Sequence, residues 1–454
     1  MRATPPPKND KRTIFGWAMY DWANSAYTTT TVAVLFPALL IDEIVPAGGY
    51  RLFGLLVDGE QLGSLLIGFG ALVVFAVSPV LGAIADFSAS NRRFMRAFAV
   101  FGGVFATAMY FIGSGDVVLA IVLFLLAQAG FVGSIVFYDG FLPDITTPDT
   151  IDRVSSKGFA FGYLGGGLNF LLVLILLLFH EEVGLSEIDA ARIGMGFAGL
   201  WWLGFGWYAI GHLTETGVPQ QLPERYARTP RPIAYLRVGM RRTAETTKRL
   251  RRFPDLLRFV LAFILYNDGV QTVIAIAPFY AKETLDLETE TLALGILMVQ
   301  AIAVVGALGF GRLAARLGTR PAILWSISLW SVVLAWGFFI PAGQAVPFFV
   351  LAGLIGLVLG GTQALSRSLF GSMIPEDASA EFYGFFSVFE KFSAILGPFI
   401  FFAVDRITGS SRGAVLSLVV FFVIGGLLLA RVDVAAARQS RTRWSFRGDQ
   451  TEVR

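Results

Sequence analysis

Residues 213–254 read LTETGVPQQLPERYARTPRPIAYLRVGMRRTAETTKRLRRFP, the longest polar interruption in an otherwise apolar chain. Pro219, Pro223, Pro230 and Pro232 break its first half, and Arg225, Arg228, Arg231, Arg237, Arg241, Arg242, Lys248, Arg249, Arg251 and Arg252 charge it. Its second half, 235–250, has the pattern of a basic amphipathic helix lying on a membrane surface. Six apolar stretches precede this linker, at 13–41, 61–86, 94–114, 117–141, 156–179 and 192–212. Six follow it, at 255–281, 291–316, 321–340, 346–372, 381–405 and 412–431. Each approaches or exceeds the roughly 20 residues that a helix needs to cross a bilayer.

The composition agrees. Of 454 residues, 55% are hydrophobic, 15% are charged and 42 are Phe, with mean hydropathy +0.66, which excludes a water-soluble domain. Backbone groups in lipid must bond internally, so the apolar stretches are helices. The expected fold is an all-α membrane protein with twelve transmembrane helices in two pseudo-symmetric six-helix bundles. The expected divisions are an N-terminal bundle (1–212), a basic linker (213–254), a C-terminal bundle (255–432) and a tail (433–454). The polar start MRATPPPKNDKR and the long first span predict no cleaved signal peptide.

Charge sets the expected orientation. Lys8, Lys11 and Arg12 precede span 1, Arg92, Arg93 and Arg96 follow span 2, and the linker is basic; the alternate loops hold Asp42, Glu43, Asp58, Glu60, Glu181, Glu182, Glu187, Asp189, Glu283, Asp286, Glu288 and Glu290. The positive-inside rule then makes both termini cytoplasmic. The net charge of +3 reflects topology and contact with anionic lipid, and gives no argument for a nucleic-acid partner. The absence of Cys excludes disulfides, thiol redox chemistry and Cys-ligated metals.

The two halves echo each other. Tyr20-Asp21 recurs as Tyr266-Asn267-Asp268, and Gly82-Ala-Ile-Ala-Asp86 with Arg92-Arg93 recurs as Gly311-Arg312-Leu-Ala-Ala315-Arg316 through Arg320. Leu142-Pro143-Asp144 recurs as Ile374-Pro375-Glu376. Each pair lies about half a chain apart at the same topological position, as in parallel transporter repeats.

The Gly-x-x-x-Asp and Arg-Arg loop resembles the signature between helices 2 and 3 of the major facilitator superfamily. The second copy departs from it, with Ala315 in place of the acid. Tyr20-Asp-Trp-Ala-Asn-Ser-Ala-Tyr27, Asp152-Arg-Val-Ser-Ser-Lys-Gly-Phe-Ala-Phe-Gly-Tyr163 and Gly361-Thr-Gln-Ala-Leu-Ser-Arg-Ser368 resemble the vacuolar effluxer-like, autophagy-linked branch of that superfamily. The resemblance covers nearly the whole chain. It implies the major facilitator fold and a secondary transporter; characterised eukaryotic members are associated with amino-acid export from vacuoles.

Charges inside apolar spans mark the candidate site, since an ionised group at the bilayer centre costs roughly 2.5–3.5 kcal/mol on insertion scales. Counted at helical rise from the basic ends, Arg367 lies about 9 Å in, Asp21 about 12 Å, Glu390 about 14 Å and Asp268 about 20 Å. Asp21, Asn24, Thr28 and Thr31 share one face of helix 1, readable as substrate contact or as a polar seam between helices. Asp268, with Asn267 and Gln271 nearby, is the expected substrate or proton carboxylate. Gln363 and Arg367 are one turn apart, and the guanidinium fork suits either a substrate carboxylate or a salt bridge to Glu390 or Asp139. Glu390 and Lys391 are consecutive and diverge by roughly 100°, so one is expected in the cavity and the other elsewhere.

Asp86 with Arg92 and Arg93 is the expected cytoplasmic latch, and Tyr138, Asp139 and Arg153 an expected gate or solvated rim. Gly158, Gly162 and Gly166 read as a close-packing seam. His180 and His212 sit at helix ends without a metal-ligand set, and phosphate-loop, zinc and calcium motifs are missing, which argues against a metal or other cofactor. The leading function is a proton-coupled secondary transporter of a small polar or zwitterionic solute such as an amino acid, working as a monomer in the bacterial cytoplasmic (inner) membrane. Two alternatives remain: a transporter of a larger amphiphile (lysolipid, peptide or cell-wall fragment), and a membrane enzyme or sensor.

Overall fold

The computed structural model describes residues 6–52, 54–215, 219–226, 228–250 and 253–441. Arg251 and Arg252 of the linker and 442–454 of the tail lie outside the described residues. The first six long helices are α1 (Lys11–Ile44), α2 (Gly59–Ser88), α3 (Asn91–Phe111), α4 (Val117–Ile145), α5 (Ile151–Leu178) and α6 (Glu187–Gly211). A linker helix, α7 (Arg231–Leu250), leads to α8 (Pro254–Thr284), α9 (Thr289–Leu317), α10 (Thr319–Phe339) and α11 (Ala345–Met373). Then come α12, in two pieces (Ser379–Phe392 and Leu396–Thr408), α13 (Ser411–Ala430) and the short α14 (Val434–Arg441). Eleven helices among the described residues are long and apolar enough to cross a membrane, and α2, at 30 residues, completes the twelve.

Local chemistry explains where the chain starts and bends. Asp10 caps α1 by accepting the Thr13 backbone N–H at 2.8 Å, and these bonds hold its carboxyl below the usual range. Asp58 and Gln61 form a capping box at α2. Helix α1 widens to a π-type turn at Tyr27–Leu35, a stretch that includes Thr28 and Thr31 of its polar face. A short hairpin, β1 (Tyr50–Leu52) with β2 (Leu55–Val57), pairs antiparallel with Tyr50 opposite Val57.

The halves are built alike. Helix α3 packs on α4 and α6 as α10 packs on α11 and α13, and α1 lies on α6 as α8 lies on α13. Buried aromatic residues fill each half, Trp202 and Phe124 in one, Trp330 and Phe422 in the other. The bundles meet through α2 and α4 against the first piece of α12, and through α5 against α9 and α11. The second piece of α12 packs on α8 and α13.

Both described termini lie at one end, hereafter the basic end: Lys8 reaches Glu376 at 2.7 Å, and Arg438 donates to Ser372 at 3.2 Å. There the bundles approach closely. Glycine at position 82 is required, because a side chain would collide with the Ala380 carbonyl across the interface. The linker helix packs on α2, burying Ala234, Val238, Arg242 and Thr246 and exposing Ile233, Leu236 and Met240.

Candidate functional site

Arg367 extends from α11 across the interface into a pocket built by α1, α4 and α5 of the other bundle. Its Nη1 donates to Asp139 at 3.1 Å and Asp21 at 3.4 Å, its Nε to Ser155 Oγ at 3.0 Å, and its Nη2 to the Ser155 carbonyl at 3.0 Å. Phe159, Trp17 and Tyr138 surround the guanidinium at 4.1, 4.8 and 5.4 Å from their ring centroids. Tyr138 donates to Asp21 at 2.8 Å, and Trp17 stacks on Tyr138 while donating to its carbonyl at 2.8 Å. Charge-assisted hydrogen bonds and ring faces together compensate a cation that is only 4% exposed.

Glycine supplies the room. A Cβ at Gly158 would lie 2.7 Å from the Trp17 ring, 2.8 Å from the Tyr138 hydroxyl and 2.9 Å from Arg367 Nη2. The small residues further along the same helix, Gly162, Gly165 and Gly166, let α5 lie directly on α1. The seam expected from sequence therefore has one end inside the polar site.

Above the arginine, away from the basic end, lies a polar cavity of about 280 Å³. Asp21, Asn24, Gln363, Arg367, Glu390 and Lys391 line it, with Asp139 at its floor. Tyr163 donates to Gln363 at 2.5 Å and Gln300 donates to Thr29 at 2.7 Å, both across the interface. Thr28, Thr29, Tyr163, Gln300 and Gln363 also border a second, apolar chamber of about 490 Å³, so the two spaces adjoin.

Several expectations need correction. Asp139 is no solvated rim: α4 continues past 141 to Ile145, which sets Asp139 about 9 Å from the helix end, buried against Arg367. Tyr138 is likewise in the centre. Asp268 does not line the cavity; it accepts the backbone N–H of Gly397 at 2.8 Å and of Leu396 at 3.1 Å, capping the second piece of α12 where that helix breaks. Gln271 is absent from the cavity walls, whereas Asn267 lines the polar cavity and donates to Ser393 at 2.5 Å. Glu390 and Lys391 both line the cavity, because their helix ends at Phe392 and the two long side chains reach the same space. Thr31 is buried but does not line it.

The latch is also rearranged. Asp86 accepts the backbone N–H of Glu381 at 2.8 Å and of Ala380 at 3.3 Å, and so caps α12 across the interface. Arg92 instead donates to the Ile210 and Gly211 carbonyls at the end of α6, and the backbone N–H groups of Arg92 and Arg93 bond Glu215 at the start of the linker. Burial raises the Glu215 carboxyl above its ordinary range. Arg242 of the linker helix is the cation beside Glu381, at 3.6 Å. Arg153 is exposed, and its neighbour Asp152 accepts Ser368 at 2.6 Å and Thr319 at 2.7 Å from the opposite bundle.

Sequence reasoning did not assign site roles to Trp17, Asp152, Ser155, Gly158, Phe159, Tyr163 or Gln300. Five of these lie within the 152–163 motif quoted for its family likeness, which was the available signal.

Comparisons with known proteins agree with this architecture. The family model described as "Vacuole effluxer Atg22 like" matches residues 9–442. A Bacillus subtilis (strain 168) protein named "Uncharacterized MFS-type transporter YxiO" is 31% identical over 422 residues, 92% of this chain and 94% of its own. Autophagy-related protein 22-1 of Neosartorya fischeri is 28% identical over 301 residues, 63% of this chain, which spans about half (49%) of that fungal relative. The solved structure of the human organic anion transporter MFSD10 (TETRAN) superposes with TM-score 0.67 at 13% identity, covering 93% of this chain and all of that one (100%). At that identity the likeness shows the fold alone.

Proposed function

This chain belongs to the Atg22-like vacuole effluxer family of the major facilitator superfamily and is a multi-pass membrane transporter; from that premise we propose that it moves a small polar or zwitterionic solute, such as an amino acid, by alternating access coupled to protons. One observation carries the reading. Arg367 belongs to one bundle, yet among the described residues its guanidinium bonds groups of the other, at the floor of the cavity between them.

A transporter must close one end of its central site while the other opens. The Arg367 ion pairs, the Asp86 cap and the Asp152 bonds all hold the basic end closed, and all must break for it to open. Protonating Asp21 or Asp139 weakens the first of them, which gives a proton a route to the conformational equilibrium. By the positive-inside rule the basic end and both termini face the cytoplasm, and the membrane is the bacterial inner one. In this reading the guanidinium serves as a lock, and Asn24, Gln363, Glu390 and Lys391 meet the solute.

The apolar chamber of about 490 Å³ favours a second reading, a larger amphiphile with its polar head at Gln363 and its apolar part beyond. Counterflow of labelled amino acids and of a lysolipid in liposomes separates the two. An amino-acid signal lost in Arg367→Ala supports the first reading; turnover of a bound compound by protein in detergent alone would replace both with an enzyme.

A further inference from the structure

The polar cavity is lined by three carboxylates, Asp21, Asp139 and Glu390, against two cations, Arg367 and Lys391, so with every group ionised one negative charge is in excess. Arg367 is occupied on Nε, Nη1 and Nη2, which leaves Lys391 as the cation available to a ligand carboxylate. Asp268 spends its charge on the N–H groups of the α12 break, outside this space. Phe131, Phe159, Phe263 and Phe386 form the walls, and ring faces attract ammonium groups in a desolvated site. In the adjoining larger chamber, Ile276, Leu292, Ile296, Phe348 and Leu351 present apolar surface.

We propose that the two adjoining cavities form one site for an amphipathic organic cation, with its ammonium group between Asp21 and Glu390 and its apolar body in the chamber between α8, α9 and α11. This rests on the second reading above, an amphiphile moved through the central cavity, and competes with the zwitterion reading. A bare zwitterion leaves the floor one charge short of balance, and an anion makes the imbalance worse. A hydrophilic amine satisfies the floor and leaves the chamber without apolar contact. Charge and shape thus select the same class of molecule.

The test titrates the purified full-length chain in detergent, by calorimetry, with four probes: 2-phenylethylamine, phenylalanine, 3-phenylpropionate and ethylamine. The site predicts that 2-phenylethylamine binds at least tenfold more tightly than each of the other three. Glu390→Gln should erase the preference over phenylalanine, and Ile296→Trp should weaken 2-phenylethylamine by filling the chamber. An equal or tighter fit of phenylalanine or 3-phenylpropionate overturns the charge assignment, an equal fit of ethylamine overturns the apolar one, and failure of all four to bind overturns the site. The probe series on the parent needs no variant to fold. Counterflow in liposomes tests the transport reading separately: binding preference without flux defeats that reading and spares the ligand class, and phenylalanine flux without the preference does the reverse.

Discussion

Arg367 Nη1 lies 3.1 Å from Asp139 Oδ1, joining a side chain of one bundle to a carboxylate of the other within a pocket of Trp17, Tyr138 and Phe159. Removing one partner of such a pair leaves the other buried and uncompensated, at a cost of about 3–5 kcal/mol. Arg367→Ala is expected to lose that much, with Arg367→Lys between it and the parent because it keeps the charge but not the fork to Ser155. Thermal unfolding in detergent should show the order parent, Lys, Ala.

Gly158 tests the same pocket from its wall. Gly158→Ala places a methyl group within contact distance of Trp17, Tyr138 and Arg367, so it should weaken the lock while leaving α5 helical. The expectation is a loss of about 1–3 kcal/mol in detergent melts. An unchanged melting temperature would show that the pocket is looser than described.

Asp86 and Arg92, neighbours in sequence, should behave differently. Asp86→Ala removes a cap that spans the bundles, and Gly82→Leu forces α2 away from Ala380, so each should open the basic end. Arg92→Ala cuts bonds to α6 of its own bundle and should leave that end closed. The chain lacks cysteine, so a Ser156→Cys reporter, buried against Gly311 of the opposite bundle, reads this directly. Maleimide labelling should rise in the first two backgrounds and stay at the parent level in the third.

Asp268 is expected to act through α12. Asp268→Ala removes an N-terminal cap and should cost about 0.5–2 kcal/mol, with Asp268→Asn milder because its side-chain oxygen still accepts an N–H. In liposomes the pH profile of transport by Asp268→Asn should match that of the parent. A flattened profile would return Asp268 to the coupling site.

Twelve apolar spans divided by a basic linker were legible in sequence, because hydrophobic length is a strong signal that lipid enforces. The site was legible in part. Asp21 and Arg367 stood out as charges in apolar runs, but their partnership depends on a contact between residues 346 positions apart, which no periodicity reveals. Asp139 was misplaced because hydropathy fades before α4 does: Pro143 lies inside a helix that persists to Ile145. Asp268 was misread because depth was counted along one helix, while its role comes from a break in another, where Gly397 allows close approach. Local sequence likewise paired Asp86 with Arg92 and Arg93, although the cross-bundle partners lie near residue 380.

The central claim is that Arg367 holds the basic end of the two bundles together. Spin labels at Arg153→Cys and Arg316→Cys, exposed positions on α5 and α9 at that end, report the separation by double electron–electron resonance in nanodiscs. The parent should give a short-distance population, and Arg367→Ala should add a distinctly longer one. Identical distance distributions for the two proteins would contradict the lock.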